Sequence, residues 1–532
     1  MDPDRGRIPD LHYVRDVSRT NSNGPTSEKV GGNSISEKYD AIVIGAGMGG
    51  LSAAATLATN GQRVLLLEKH WRPGGYAGSF VRGRFEFEIA LHVLSGLDLE
   101  GKRGSLYRNF ESLGIMKRVD FVRVDNFYKA VYPDMEITVP ANREAAEEVL
   151  VDAFPHELEG IKRFLDRMAA TNRALALLTR TGDISQKEVK EDFLAYRGKT
   201  LADVLYADVK DAKARAVLSQ IMGYFGLPPS QVSYIVYATA YDTLLRYGIA
   251  QIKGTSQTLS NAFVDIIEEK NGEVRLNCGV KKILTEGNRV KGVLTENNEK
   301  ILSDYIVSNV NPLTTCAAMI GVDKVPHSFF DNLQKHEIAV GTLNVYMGLD
   351  APHQELGIDE FETFINLGYD FDANWSKSRV SVEPADFAVA TYNCAYSEAS
   401  PPGTTIMVLC TLSYAEPWYK IPPSEYVATK NRMAEKMLER TEKVYPGVRE
   451  HMEVVEVSTP LTNMRYTGNP GGSILGTPYS PNNVFLDRLP QEGPLKGLYF
   501  AGAWTQIGGG FQTCITSGIM AAQKLMLEKM KK

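Results

Sequence analysis

Residues 40–44 (Asp-Ala-Ile-Val-Ile) make a short apolar run rich in Ile and Val, the pattern of a parallel strand buried on both faces. A stretch of Leu, Ala, Ser and Thr over 51–59 predicts a helix, which Asn60-Gly61 ends with a pair tolerant of positive φ. Residues 63–68 (Arg-Val-Leu-Leu-Leu-Glu) supply a second strand. Helical spacing returns at Leu259, Phe263, Ile266 and Ile267. A predicted meander follows, with strands over 273–276, 280–285, 289–295 and 300–307 and turns at 286–288 and 296–298. Near the C-terminus, 497–502 reads as a strand that runs through Gly508-Gly509-Gly510 into a helix from about Thr513. Between these parts, 109–253 is mostly helical by pattern and 311–459 mixes strands with helices.

The glycines between the first strand and the first helix carry chemistry. Gly45-Ala46-Gly47-Met48-Gly49-Gly50 follows the strand directly. Gly45 allows the tight turn, Gly47 leaves the backbone open to a pyrophosphate, and Gly50 lets the helix lie close to the sheet. The positive N-terminal end of that helix faces the phosphates. Glu68 stands 18 residues beyond Gly50, close to the spacing of about 20 expected of an acid that accepts the ribose hydroxyls of adenosine. Strand, glycine turn, helix and acid together describe a pocket for an adenine dinucleotide, with Ala46, Met48 and Gly49 part of the same binding run.

Arg72-Pro73-Gly74-Gly75-Tyr76-Ala77-Gly78-Ser79 resembles the second glycine pair of the large flavoprotein family that includes amine oxidases and phytoene desaturases. In that family the loop passes the flavin's phosphate and ribitol chain, so the resemblance implies FAD rather than NAD. Amine oxidases usually carry an Arg directly after the pair. Tyr76 stands there instead, which turns the resemblance toward the branch of phytoene desaturases, carotenoid isomerases and retinol saturases. The order of pieces from about Tyr39 to the C-terminus matches that branch and implies an α/β fold. A Rossmann-like FAD-binding domain of the amine-oxidase type would be assembled from 39–108, 254–310 and 460–532. An inserted α+β substrate domain would come from 109–253 and 311–459, and a flexible polar tail would occupy 1–38. The resemblance extends the cofactor set to Lys69, Arg72, Gly74, Gly75, Gly78, Ser79 and Val280. It adds Gly502, Ala503, Gly510, Phe511 and Gln512 beside the flavin ring, where the last helix would stabilise negative charge on the reduced ring.

Residues 87–96 resemble a retinol-saturase-like strand that passes under the flavin ring. His92 in that run donates a proton, orients a substrate oxygen, or is a hydrogen-bonded histidine on a buried strand. Arg465-Tyr466-Thr467-Gly468-Asn469-Pro470-Gly471-Gly472 resembles a phytoene desaturase segment leading back to the flavin, which makes Tyr466 the second catalytic candidate; the alternative is a structural turn. In the aromatic series Tyr224, Phe225, Tyr234, Tyr237, Tyr241 and Tyr247, spacing puts Tyr234, Tyr237 and Tyr241 on one helical face. That face lines a tunnel for a long apolar chain, dips into a lipid surface, or is core.

At 532 residues the chain asks for two domains. A net charge of −6 without any Lys/Arg block excludes nucleic acid as a partner. The five cysteines are scattered, with no C-x-x-C and no Cys/His cluster, so neither a metal site nor a disulfide framework is expected and a reducing compartment is. The tail lacks an apolar core for a signal peptide, its acids argue against a transit peptide, and no transmembrane helix is expected. These features read as a cytoplasmic protein, with peripheral membrane contact left open. No second glycine fingerprint is visible, so NAD(P)H as electron partner must dock directly on the flavin, whereas a quinone or oxygen needs no domain of its own. The expectation is an FAD-dependent oxidoreductase acting on carbon–carbon double bonds of a long apolar isoprenoid or polyene. It would work by hydride transfer at flavin N5, in desaturation, saturation or cis–trans isomerisation. Two rivals share the fold: a flavin amine oxidase, and a non-catalytic prenyl-lipid carrier of the escort or GDP-dissociation-inhibitor type. The intact glycine pattern with Glu68 counts against the carrier.

Overall fold

A computed structural model describes residues 38–90, 93–97 and 101–531. The tail expected over 1–38 lies outside these residues except for Lys38. Strands Ala41–Ile44 and Val64–Leu67 pair in parallel within a five-stranded sheet. Its order is Glu273–Arg275, Val64–Leu67, Ala41–Ile44, Ile306–Ser308 and Leu498–Phe500, all parallel. Alternate side chains enter two buried layers, so neither face carries polar residues at every second position. Ala41, Val43, Val64 and Leu66 pack on the helices Met48–Thr59, Thr255–Glu269 and Phe511–Met530. Ile42, Ile44, Leu65 and Leu67 pack under a three-stranded antiparallel sheet made of Val280–Glu286, Arg289–Thr295 and Lys300–Leu302.

The meander therefore has three strands rather than four. Glu273–Arg275 pairs with Val64–Leu67, and Ile306–Ser308 pairs with Ala41–Ile44, so both leave the meander for the parallel sheet. Local alternation identifies a strand but does not name its partner.

A second sheet has seven strands, in the order Met452–Ser458, Gly341–Leu349, Thr405–Ser413, Phe387–Thr391, Glu362–Ile365, Asn126–Tyr132 and Met135–Pro140. Only the contact between Glu362–Ile365 and Asn126–Tyr132 is parallel. The last two strands form a hairpin across Pro133-Asp134, inside the region whose pattern reads as mostly helical. One face of this sheet packs Leu343, Val345, Phe387 and Leu409 against Met433, Met437 and Leu438 of the helix Tyr426–Val444. The other face carries Tyr346, Val408, Ala390, Phe364 and Tyr128 and belongs to the cluster built with the helices Leu158–Thr181 and Tyr234–Tyr247.

Candidate functional site

Gly47 is the N-cap of the helix Met48–Thr59, and no side chain caps it. An uncapped first turn leaves backbone N–H donors open, and the helix dipole makes that end attractive to anions. Gly45 turns the chain with φ +92°, and a Cβ on Gly50 would run into the Gly45 carbonyl oxygen. The second glycine pair closes onto this turn, because Gly74 N–H donates to the Ala46 carbonyl at 2.7 Å and Gly47 bridges to Gly74 as a parallel neighbour. Two separate glycine motifs thus form a single cradle. Glu68 braces it: one carboxylate oxygen accepts from Ala46 N–H at 2.6 Å and the other from His70 N–H at 2.8 Å. Carboxylate oxygens accept more than one bond each, so Glu68 keeps capacity for a ribose.

The cradle opens on a cavity of about 1650 Å³. A pocket for one drug-sized ligand measures roughly 300–1,000 Å³, so this volume takes a cofactor and a second molecule. Gly45, Gly47, Met48, Gly49, Glu68, Lys69, Arg72, Gly74, Gly75, Gly78, Ser79 and Val280 all lie on its wall, as do Ala503, Gly510 and Phe511. Arg72 is committed locally, with its guanidinium donating to the Ser79 carbonyl at 2.5 Å. Tyr76 is half-buried, and its hydroxyl donates to the carbonyls of Gly472 and Ser473, each at 3.2 Å. Burial pushes its phenol well above the ordinary value. It bolts the glycine-pair loop to the 470–473 turn.

Four expected cofactor contacts are not on the wall. Ala46 spends its N–H on Glu68, and Gly50 is packed on Gly45. Gly502 N–H donates to Ser517 Oγ at 3.0 Å. Gln512 is displaced because the last helix begins at Phe511 rather than near Thr513, which brings Phe511 to the wall instead.

The tyrosine stripe is corrected more strongly. Tyr234, Tyr237 and Tyr241 are fully buried and none lines the cavity. The Tyr237 hydroxyl donates to the Leu218 carbonyl at 2.8 Å, and its ring stacks on Tyr241 at 5.6 Å. The stripe is core. Tyr224, from the same aromatic series, does reach the cavity. His92 lies outside the described residues. Tyr466 stands on the cavity rim, 56% exposed, with its ring edge-on to His70 at 6.2 Å.

Several wall residues carried no motif. Gln257 Oε1, Asn344 Oδ1 and Ser458 Oγ are buried, lack any hydrogen-bond partner among the described residues, and line the cavity. Buried polar atoms left in this way call for a partner, from water or from a bound molecule. Together with the uncapped helix they fit a dinucleotide cofactor with a second ligand beyond it. Glu362 also lines the cavity, and burial raises its carboxyl to about 7. Its sequence signal is a lone acid opening the apolar strand Glu362–Ile365. Cys410 and Cys514 line the wall as thiols pushed up to about 12 by burial, so they stay protonated. Among the described residues there is no group of three His, Cys, Asp or Glu able to hold a metal, and no helix is long and apolar enough to cross a membrane.

Comparison with known proteins places the chain in a family. The family model for flavin containing amine oxidoreductases matches residues 48–526. Prolycopene isomerase of Daucus carota is 26% identical over 94% of this chain and 82% of its own length. All-trans-retinol 13,14-reductase of Danio rerio is 23% identical over 88% of this chain and 83% of its own. The solved structure of cyclohexylamine oxidase from Brevibacterium oxydans superposes with a TM-score of 0.62, covering 93% of this chain and 100% of its own at 15% identity, a likeness of fold.

Proposed function

The chain belongs to the flavin-containing amine oxidoreductase family, and for this FAD-dependent oxidoreductase we propose action on carbon–carbon bonds of a long apolar isoprenoid, a polyene or retinoid. The observation that carries the reading is the cavity wall beyond the cradle. There Phe364, Ala388 and Leu412 of the seven-stranded sheet and Ile89, Ala90 and Val93, which follow the strand Phe85–Glu88, give the wall apolar side chains. Such a wall rewards burial of hydrocarbon at about 25 cal/mol for each Å² and penalises unpaired charge.

Gly45, Gly47 and Gly49 with the helix N-terminus would hold the pyrophosphate of FAD, Glu68 the adenosine ribose, and the Gly74–Gly78 loop with Ala503, Gly510 and Phe511 the flavin end. Bound FAD supplies acceptance or donation of a hydride. The chain's own residues bind and orient the hydrocarbon, exclude water and keep the Cys410 and Cys514 thiols neutral. At the rim, Trp71, Tyr419, Val427 and Tyr466 are exposed and line the opening, a surface suited to drawing an apolar substrate out of a membrane.

The relatives carry the names of an isomerase and a reductase, so the direction of the reaction is what experiment must decide. Oxidised and reduced holoenzyme are incubated anaerobically with prolycopene and with all-trans-retinol, and the products are analysed by mass. A gain of two hydrogens means saturation, a loss of two means desaturation, and an unchanged mass with altered geometry means isomerisation. Adding NAD(P)H, a quinone or oxygen then identifies the electron partner. Peroxide released from amines with no polyene turned over would refute the reading.

A further inference from the structure

Glu88 and Glu362 are the two least exposed carboxyls among the described residues, and they are held differently. Glu88 is 3% exposed and lies off the cavity wall. Its two oxygens accept from Ser256 N–H at 2.7 Å and from Ser256 Oγ at 2.5 Å, at the start of the helix Thr255–Glu269. Its bonding is complete within the protein. Glu362 is 4% exposed and on the wall. One of its oxygens accepts from the hydroxyl of Tyr224, a residue that also lines the cavity, and no protein donor meets the other among the described residues. No Lys, Arg or His pairs with it there, and the titratable groups that feel its charge are Tyr224, Tyr392 and Cys410.

A carboxyl placed on an apolar wall with one bond costs more than a hydrocarbon side chain of its size, unless the cavity's occupant supplies the missing partner. Sheet register fixes how far this group stands from the cradle. Glu362 pairs with Ala390, Ala390 with Val408, and Val408 with Tyr346, one row on a single face. The Tyr346 hydroxyl donates to the carbonyl of Ile89, on the wall near the glycine-pair loop, at 2.8 Å. Three strand spacings of about 4.8 Å put Glu362 roughly 14 Å across the sheet from Tyr346. Phe364, Ala388 and Cys410, in the neighbouring row two residues along the strands, line the wall beside this path.

We infer that Glu362 and Tyr224 form a hydroxyl-binding end to the tunnel, so that the substrate is an isoprenoid alcohol whose hydroxyl donates to the open oxygen of Glu362 while its chain lies along the apolar wall. The inference rests on the isoprenoid reading above and adds the end group. An alcohol suits the site in either protonation state of the carboxyl, because a hydroxyl both donates and accepts. An aldehyde only accepts, and a carboxylate would meet like charge.

The test uses flavin-loaded protein and equilibrium binding, followed by perturbation of the flavin absorption band. The probes are all-trans-retinol, the matching hydrocarbon without the hydroxyl, and the matching aldehyde. Wild type should bind the alcohol roughly 10- to 100-fold more tightly than the hydrocarbon. Glu362→Leu should erase that preference by weakening the alcohol alone, and Glu362→Gln should restore part of it. Tyr224→Phe provides a second variant that leaves the carboxyl in place, and flavin content reports that each variant is folded. The expected result for it is a reduced but persistent preference. Equal binding of alcohol and hydrocarbon by wild type overturns the end-group assignment alone, as does tighter binding of the aldehyde or an equal loss for both ligands in Glu362→Leu. Failure of loaded wild type to bind any of the probes overturns the isoprenoid reading as well.

Discussion

Gly49→Ala isolates the joint between the two ends of the chain. A Cβ at this position would stand 2.6 Å from the amide nitrogen of Gly502 and 2.7 Å from its Cα, both backbone atoms of the returning C-terminal segment. Carbon contacts are comfortable near 3.5 Å, so about 0.9 Å of separation must be found between the helix Met48–Thr59 and the loop after Leu498–Phe500. Overpacking of this kind costs about 1–3 kcal/mol, and the backbone cannot rotate aside as a side chain would. The helix regains at most about 1 kcal/mol from replacing glycine by alanine. The net expectation is a loss of about 1–2 kcal/mol, with the cradle displaced by a large fraction of an ångström. Gly368→Ala is the control, since nothing lies within 4 Å of its added Cβ. Thermal unfolding of flavin-free protein reads the packing cost, and the flavin-to-protein absorbance ratio after gel filtration reads the cradle. The variant should melt about 1–2 °C lower and lose flavin at least about tenfold more readily. Wild-type melting and full flavin content in Gly49→Ala would refute the reasoning, and so would an equal drop in Gly368→Ala.

Glu88 predicts a pH dependence of stability. Burial raises its carboxyl from 4.5 to about 8, so the folded state holds a proton that the unfolded state has released. Its contribution is complete below about pH 4.5 and is lost as pH rises through about 8, worth on the order of 5 kcal/mol over the window. Glu88→Gln should flatten the slope between pH 5 and 8 in denaturant titrations, and an unchanged slope would contradict the assignment. Tyr237→Phe removes the bond to the Leu218 carbonyl and should cost about 1–3 kcal/mol of stability without changing the products formed; a changed product would return the stripe to the tunnel. Replacing Trp71, Val427 and Tyr466 together by Ser should weaken sedimentation with phosphatidylcholine vesicles while flavin content holds, and unaltered sedimentation would remove the rim as a membrane contact.

What could be read early follows from the range of each signal. The run 41–44, the glycines and Glu68 lie within 28 residues and act through backbone geometry, so their meaning is local. Tyr234, Tyr237 and Tyr241 share a face at a spacing that is identical for core and tunnel, and only the packing around Leu218 and Tyr196 separates the two. Tyr224 belonged to the same series, yet its place on the wall depends on its partner Glu362, 138 residues away.

By itself the sequence determined the cofactor class. A turn that needs positive φ, an uncapped helix start and an acid at the right distance are properties of consecutive residues, and each is dictated by sterics and charge along one short segment. Tertiary structure alone decided that Gly74 locks onto Ala46, that Gly49 must clear Gly502, and that one face of a seven-stranded sheet brings Glu362 and Tyr224 to the wall of the cavity. Those are choices between distant segments, made by pairing register and close packing, and no local pattern of polar and apolar residues encodes them.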